Sequence, residues 1–426
     1  MDDDRRGRRL RIFAWCSFDW ANSGFPTVIT TYVFSAYFAK VIAGDEVSGT
    51  SAWAYAISAS GLAVALMSPV LGAIADAAGR RKPWVGAFTL LCVAATLALW
   101  WVAPGADLAL YALVLVAIAN FAFEMATVFY NAMLPSVAPP AMIGRVSGWG
   151  WGLGYVGGLA CLALSLALVQ PTPPPFGLDG AAYEPVRATA VLVGLWLAVF
   201  SLPFFLLVPD APSRALRPLA AIGRGLKTLG GTLRQVHRYR NVALFLLAHM
   251  VYADGLNTLF AVGGIYVAVT FGMDFDEILL FGIAMNVTAG LGAFAFGWLD
   301  DRIGPKATIL IALVSMAIIG AALVVLTSKA WLWALALPLG LFFGPAQSAS
   351  RSLMARLAPP ALTAEFFGLY ALSGKATAFV GPAVFGSATA LMESQRWGMA
   401  TIIVFIVIGA LLLLPVRQGG EGPLTP

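Results

Sequence analysis

Apolar runs of about 20 residues recur from one end of the chain to the other, separated by short polar breaks. Each is long enough to cross a hydrocarbon core of about 30 Å. The candidate spans are 12–40, 51–75, 83–103, 108–134, 143–169, 188–208, 241–270, 277–299, 307–327, 331–355, 365–392 and 397–415. In lipid, a single crossing segment satisfies all its backbone groups only as a helix. The pattern therefore predicts an all-α integral membrane protein with twelve transmembrane helices. One long polar interruption lies in the middle, so the expected organisation is a six-helix half over 1–208, a basic linker over 209–240 and a second six-helix half over 241–426.

Composition agrees with a bilayer as solvent: 60% of residues are hydrophobic and only 11% charged, against about 25% charged in ordinary soluble domains. The net charge of +5 changes the picture through its placement. With both termini in the cytoplasm, Arg5, Arg6, Arg8, Arg9, Arg11, Arg80, Arg81, Lys82, Arg145, Arg302, Lys306, Arg356 and Arg417 fall inside. So does the linker, with Arg214, Arg217, Arg224, Lys227, Arg234, Arg238 and Arg240, while the outside carries only Lys40, Arg187, Lys329 and Arg396. Such a bias orients membrane proteins, and it assigns the basic surface to an anionic lipid leaflet rather than to nucleic acid. The linker reads as an amphipathic segment on the inner leaflet or as a regulatory, lipid-binding element. The N-terminus is followed by a long span with no small-residue cleavage site, so a retained first helix is expected. Cys16, Cys92 and Cys161 lie in apolar surroundings and read as small buried hydrophobes.

Polar residues inside the spans carry the functional information, because a charge in a bilayer costs roughly 2.5–3.5 kcal/mol on insertion scales. Span 1 holds Asp19 and Asn22, three residues apart on one helix face, and span 7 repeats the pattern as Asp254 and Asn257. Two further landmarks recur in the same order. Gly72-Ala73-Ile74-Ala75-Asp76-Ala77-Ala78-Gly79-Arg80-Arg81 follows span 2, and Gly297-Trp298-Leu299-Asp300-Asp301-Arg302-Ile303-Gly304-Pro305-Lys306 follows span 8. Ala138-Pro139-Pro140-Ala141 follows span 4 and Ala358-Pro359-Pro360-Ala361 follows span 10. A duplicated six-helix unit explains all three. In the first loop the glycines permit a tight turn, and Asp76 is placed to meet a neighbouring helix N-terminus or an arginine. The second copy has Pro305 where the first has Arg80.

The Gly72–Lys82 loop resembles the signature loop of the major facilitator superfamily, which implies two pseudo-symmetric halves and a conformational latch formed by Gly72, Asp76, Gly79, Arg80 and Arg81. A narrower resemblance covers most of the chain. Phe18-Asp19-Trp20-Ala21-Asn22-Ser23, Phe129-Tyr130-Asn131-Ala132-Met133-Leu134-Pro135 and Ser147-Gly148-Trp149-Gly150 with Gly154-Tyr155-Val156-Gly157-Gly158 are similar to the autophagy-related vacuolar effluxer family and its bacterial relatives. That resemblance implies efflux of a small solute, with amino acids as the substrate class, from a bacterial inner membrane. It also implies that helices 1, 4, 7 and 10 line a central cavity.

The ionisable residues fall largely on those helices: Asp19, Glu124, Asp254 and Arg351. Asn120, Glu124, Thr127 and Asn131 form a stripe down span 4, and Gln347 and Arg351 share a face of span 10. At about 1.5 Å rise per residue, Asp254 lies roughly 20 Å into its span, and Lys375 and Glu124 about 15 Å into theirs. Asp19 and Arg351 are only about 10 and 6 Å in. Substrate sits near the midplane in transporters. Glu124, Asp254, Asn257, Asn131 and Lys375 are therefore the candidates for substrate or proton binding, and Asp19, Asn22 and Arg351 for an inner gate. For Lys375 a place in the cavity and a pairing between helices both remain open. His249 reads as a satisfied core residue or a proton relay. Small-residue spacing at Gly150, Gly154 and Gly158 predicts close helix contact, and Gly381-Pro382 a kink.

Enzyme chemistry finds little support. There are two histidines, His237 and His249, no metal-ligand cluster and no phosphate-binding loop, so neither a metal nor another cofactor is expected. The chain reads as a monomeric, proton-coupled exporter of a small polar solute. A sugar or drug facilitator of the same fold and a non-transporting membrane receptor or assembly factor are the alternatives.

Overall fold

A computed structural model describes residues 2–212 and 218–417. Arg214 and Arg217 lie outside the described residues, and the side chains of Arg5 and His237 are likewise outside them. Helix is the only regular structure among the described residues, with no strand. Eleven helices are long and apolar enough to cross a membrane. They are α1 (Arg6–Ile42), α2 (Glu46–Ala78), α3 (Lys82–Trp101), α4 (Ala106–Val137), α5 (Pro140–Val169), α6 (Glu184–Leu207), α7 (Arg240–Phe271), α8 (Glu277–Ile303), α9 (Pro305–Val325), α10 (Lys329–Leu357) and α12 (Gln395–Leu413).

The twelfth expected span is present but divided. It runs as α11a (Thr363–Lys375) and α11b (Val380–Leu391). The cause lies in the sequence. Pro382 has no N–H and its ring crowds the carbonyl four residues back, that of Ala378, which favours a break here, although Pro69 in α2 and Pro338 and Pro345 in α10 lie inside unbroken helices. The chain closes α11a with Ala376 N–H on Leu372 O at 2.8 Å, makes a tight turn with Val380 N–H on Thr377 O at 2.7 Å, and starts again. Proline in the first turn of the new segment is tolerated, because its missing N–H belongs to a position that would be unpaired anyway.

Helix α1 also departs from regularity after Gly24. Val33 N–H bonds Val28 O at 3.0 Å and Ala43 N–H bonds Phe38 O at 2.9 Å, five residues apart rather than four. Such wide turns are rare and often mark functional segments.

Two compact units share the chain. One comprises 1–67, 78–133 and 153–215; the other comprises 68–77, 134–152 and 216–426. Helices α2 and α5 contribute to both. The core of the first unit is built from Phe25, Val28, Phe34 and Phe38 of α1 with Cys92 of α3, Val116 of α4 and Trp196 of α6. Trp196 stacks on Trp20 at 5.4 Å and donates to Trp20 O at 3.2 Å. Cys16, Cys92 and Cys161 are buried and unbridged. In the second unit a linker helix (Pro218–Arg234) packs its Gly225 over the backbone of Ile74, where a Cβ would stand 2.8 Å from Ile74 Cα.

The glycines of α5 are used on two faces. Those of Gly154, Gly157 and Gly158 admit α1: a Cβ on Gly157 would stand 2.8 Å from Trp20 Cα. On another face, Gly144, Gly148 and Gly152 admit α8, at Asp300, Ala293 and Gly290. The close contact expected from the spacing is made at Gly154 and Gly158, against α1, and a second glycine set meets α8 because α5 has two different neighbours.

Candidate functional site

The break in α11 organises the polar chemistry of the second unit. Asp254 on α7 is buried, and its Oδ2 accepts the backbone N–H of Gly381 at 3.1 Å, in the first turn of α11b. Unpaired N–H groups make a helix N-terminus favourable for an anion. The other carboxylate oxygen, Oδ1, is buried with no hydrogen-bond partner. Gly381 is required here, since a Cβ would stand 2.8 Å from Asp254 Oδ1 and collide with the Thr258 hydroxyl. At the other side of the break, Lys375 occupies the last turn of α11a, where exposed carbonyls favour a cation. The two half-helices therefore place an acid and a base at ends of matching sign.

A ladder of neutral groups continues along α7. His249 and Ser373 of α11a are 2.8 Å apart, and the imidazole stacks on Tyr370 at 4.2 Å. Ser373 Oγ donates to Tyr370 O at 2.8 Å, so the imidazole Nδ1–H is the donor to it. Tyr252 and Ser350 of α10 are 2.6 Å apart. His249 is thereby a satisfied interior residue. Asn257 is exposed on α7 and does not share the enclosure of Asp254. Arg351 of α10 is buried and donates to Ser147 Oγ at 2.9 Å and Ser147 O at 2.6 Å, with its guanidinium 5.6 Å from the Trp151 ring centre.

In the first unit Asp19 is buried, and its Oδ2 accepts the Tyr130 hydroxyl at 2.9 Å. Trp15 stacks on the same tyrosine at 4.3 Å and its Nε1 donates to Tyr130 O at 3.3 Å. Asn22 is buried beside Ser23, whose hydroxyl lies 3.4 Å from Asn22 Oδ1. On the α4 stripe, Asn120 donates to Ser60 of α2 at 2.7 Å and Thr127 to Phe123 O at 2.9 Å. Glu124 and Asn131 are half-buried.

The duplicated loops show one design twice. Asp76 is buried, and its Oδ2 accepts Glu365 N–H at 2.9 Å, in the first turn of α11a. Gly72 lets α2 touch α11a at Ala364, and Ser68 donates to Gly368 O at 2.9 Å. Ser68, Gly72 and Asp76 form a four-residue ladder along one face of α2. In the second copy Asp301 accepts Gly144 N–H at 2.9 Å and Arg145 N–H at 3.3 Å, in the first turn of α5. It also pairs with Arg145 Nε at 2.6 Å and Arg356 Nη2 at 3.3 Å. Gly79 and Gly304, each three residues after its aspartate, take left-handed φ values of 88° and 91°. Within the first unit Arg80 pairs with Asp210 at 3.4 Å, and Arg81 donates to Ala132 O at 3.0 Å.

The sequence gives no sign of the roles of Glu365 and Asp300, and Arg145 reads there only as one of the cytoplasmic charges. Glu365 and Arg145 sit in first helical turns, where charges are ordinary, and only their burial or pairing distinguishes them. No group of three or more candidate metal ligands occurs among the described residues.

Residues 39–420 match the family model described as "Vacuole effluxer Atg22 like". The chain is 29% identical over 411 residues to the uncharacterized MFS-type transporter YxiO of Bacillus subtilis (strain 168), covering 95% of this chain and 94% of that protein. It is 28% identical over 289 residues to autophagy-related protein 22 of Cryptococcus neoformans var. neoformans serotype D (strain B-3501A), covering 62% of this chain and 51% of that one. The chain thus spans about half the length of that fungal relative. Among solved structures, the major facilitator transporter FucP in its outward conformation aligns with a TM-score of 0.77 at 12% identity, over 97% of this chain and 100% of that one. A bacterial homologue of the iron transporter ferroportin, outward-facing, aligns at 0.69 and 14% identity, over 96% and 99%. At these identities the likeness establishes the fold. The apolar spans, the duplicated loops and these matches together place the chain in the vacuole effluxer Atg22-like family, as a major facilitator transporter and not an enzyme.

Proposed function

We propose that this transporter exports a small zwitterionic solute, an amino acid, in exchange for protons, with Asp254 as the proton carrier and Glu124 of α4 as the alternative carrier. The observation that carries this reading is Asp254 itself, a buried carboxylate with one oxygen on a half-helix N-terminus and the other unpartnered. An oxygen in that state gains most from a proton, since burial without a partner disfavours charge. Lys375 and the exposed amide of Asn257, with Asn131 of α4, supply polar contacts for the solute. Halves 1–208 and 241–426, joined by the linker 209–240, alternate access as a monomer in a bacterial inner membrane, with both termini in the cytoplasm. The loops carrying Gly72, Asp76, Gly79, Arg80 and Arg81 act as a cytoplasmic latch: opening it must break the Asp76 cap on α11a. Asp19 and Asn22 in the first unit, and Arg351 in the second, are each assigned a gating role.

The test is uptake of radiolabelled amino acids, supplied from outside, by lipid vesicles holding the purified protein under an imposed pH gradient. Exchange predicts that an acidic interior drives accumulation of at least one amino acid. Accumulation driven by an alkaline interior would mean import with protons. Indifference to the gradient would mean a facilitator. Either result overturns the proposal.

A further inference from the structure

A second carboxylate, outside the proposed transport site, is left in an unusual state. Glu365, in the first turn of α11a, is fully buried, and neither Oε1 nor Oε2 has a hydrogen-bond partner. An ionised carboxylate so placed is costly in a protein interior. The groups facing it offer no relief. From α2 comes Asp76, another acid, which accepts the Glu365 backbone N–H. From the linker helix comes the buried hydroxyl of Thr232, whose own proton is directed to Thr228 O at 3.2 Å. Three arginines of the same unit are engaged elsewhere: Arg145 and Arg356 with Asp301, Arg351 with Ser147. With that proton on Thr228 O, Thr232 Oγ1 has a lone pair free to accept. The pair is satisfied when Glu365 supplies the proton.

We infer that Glu365 is a proton-binding site at which the neutral acid donates to Thr232 Oγ1, fastening the linker helix to the start of α11a by a proton rather than an ion pair. The packing supports this. Ala221, Gly225, Leu229 and Thr232 lie on one face of the linker helix, and the first, third and fourth are buried. Gly225 brings that face onto the backbone of Ile74, two residues before Asp76. Loss of the proton puts a second negative charge beside Asp76 at the α2–α11a contact and removes the bond to Thr232. The linker helix then loosens from the loop proposed as the latch. With that loop cytoplasmic, the site reads the pH on the side the solute leaves. The inference rests on the proposed latch for its consequence, but the proton itself is independent of Asp254.

Infrared difference spectroscopy of the full chain in lipid tests it. At neutral pH the wild type should show the C=O stretch of a protonated carboxyl group that disappears in Glu365→Gln and persists in Asp254→Asn. In Thr232→Val the band should move to higher frequency as its hydrogen bond is lost. A spectrum that Glu365→Gln leaves unchanged overturns the proton site; a band that Thr232→Val does not move overturns the pairing. Hydrogen exchange across the linker helix supplies a second readout. After correction for intrinsic rates, protection should fall with rising pH in the wild type and be constant in Glu365→Gln. Constant protection in the wild type contradicts the inference.

Discussion

Asp19 and Asp254 begin the same four-residue pattern in the two repeats, yet they end in different chemistry. Asp19 lies in an aromatic enclosure in the first unit, with Tyr130 donating to Oδ2 at 2.9 Å and Trp15 stacked behind that tyrosine. Asp254 meets the start of a half-helix, and its Oδ1 is buried without a partner. A repeated motif therefore fixes where an acid stands, and its neighbours decide what it does. A tyrosine hydroxyl and an aromatic wall hold the first acid in place; a broken helix holds one oxygen of the second and leaves the other without a partner.

The contrast can be broken most strongly at Gly381. Gly381→Ala places a methyl 2.8 Å from Asp254 Oδ1 and against Thr258, so the carboxylate must leave the α11b N-terminus. Proton-driven transport should fall about tenfold or more, equivalent to about 1.4 kcal/mol on the barrier, with the protein still extracted as a folded monomer. Rates within twofold of wild type would remove the half-helix from the account. A smaller effect is expected at the other acid. Tyr130→Phe deletes a donor shared between Asp19 Oδ2 and Trp15 O. Stability should drop by about 1–2 kcal/mol in a denaturant titration, while the pH dependence of transport stays as it was. A changed pH dependence would give Asp19 the role assigned here to Asp254.

Much of this was legible in the sequence. The spans follow from run length, and the duplicated Asp-x-x-Gly loops predicted tight turns that Gly79 and Gly304 make at positive φ. Reading Asp76 as a partner for a helix N-terminus matches the bond to Glu365 N–H. Gly381-Pro382 predicts a bend, whereas the chain divides just before it, because the proline ring acts on the carbonyl four residues back. Which helix each loop would meet was not legible: Asp76 and Glu365 are 289 residues apart, and Asp301 and Gly144 are 157 apart. Local spacing carries no record of such partners. The second loop reads as a degraded copy because of Pro305, yet Lys306 Nζ reaches Leu414 O after α12 as Lys82 Nζ reaches Val208 O after α6. The physical role survives where the letters do not. Glu365 escaped notice because an acid in a first helical turn is the commonest of placements.

The two loops also differ in how charge is balanced. Asp301 is held by Arg145 and Arg356 as well as by backbone N–H groups. Asp76 stands beside a second acid, Glu365. One contact is fastened by ion pairs and the other depends on a proton.

The central claim, that Asp254 carries the proton, is tested most directly by comparing Asp254→Asn with Asp19→Asn in the same vesicle assay. Asparagine imitates the proton-loaded acid. Asp254→Asn should therefore lose accumulation driven by a pH gradient while retaining solute-for-solute exchange at equal pH, and Asp19→Asn should keep both. Gradient-driven accumulation that survives in Asp254→Asn would contradict the claim.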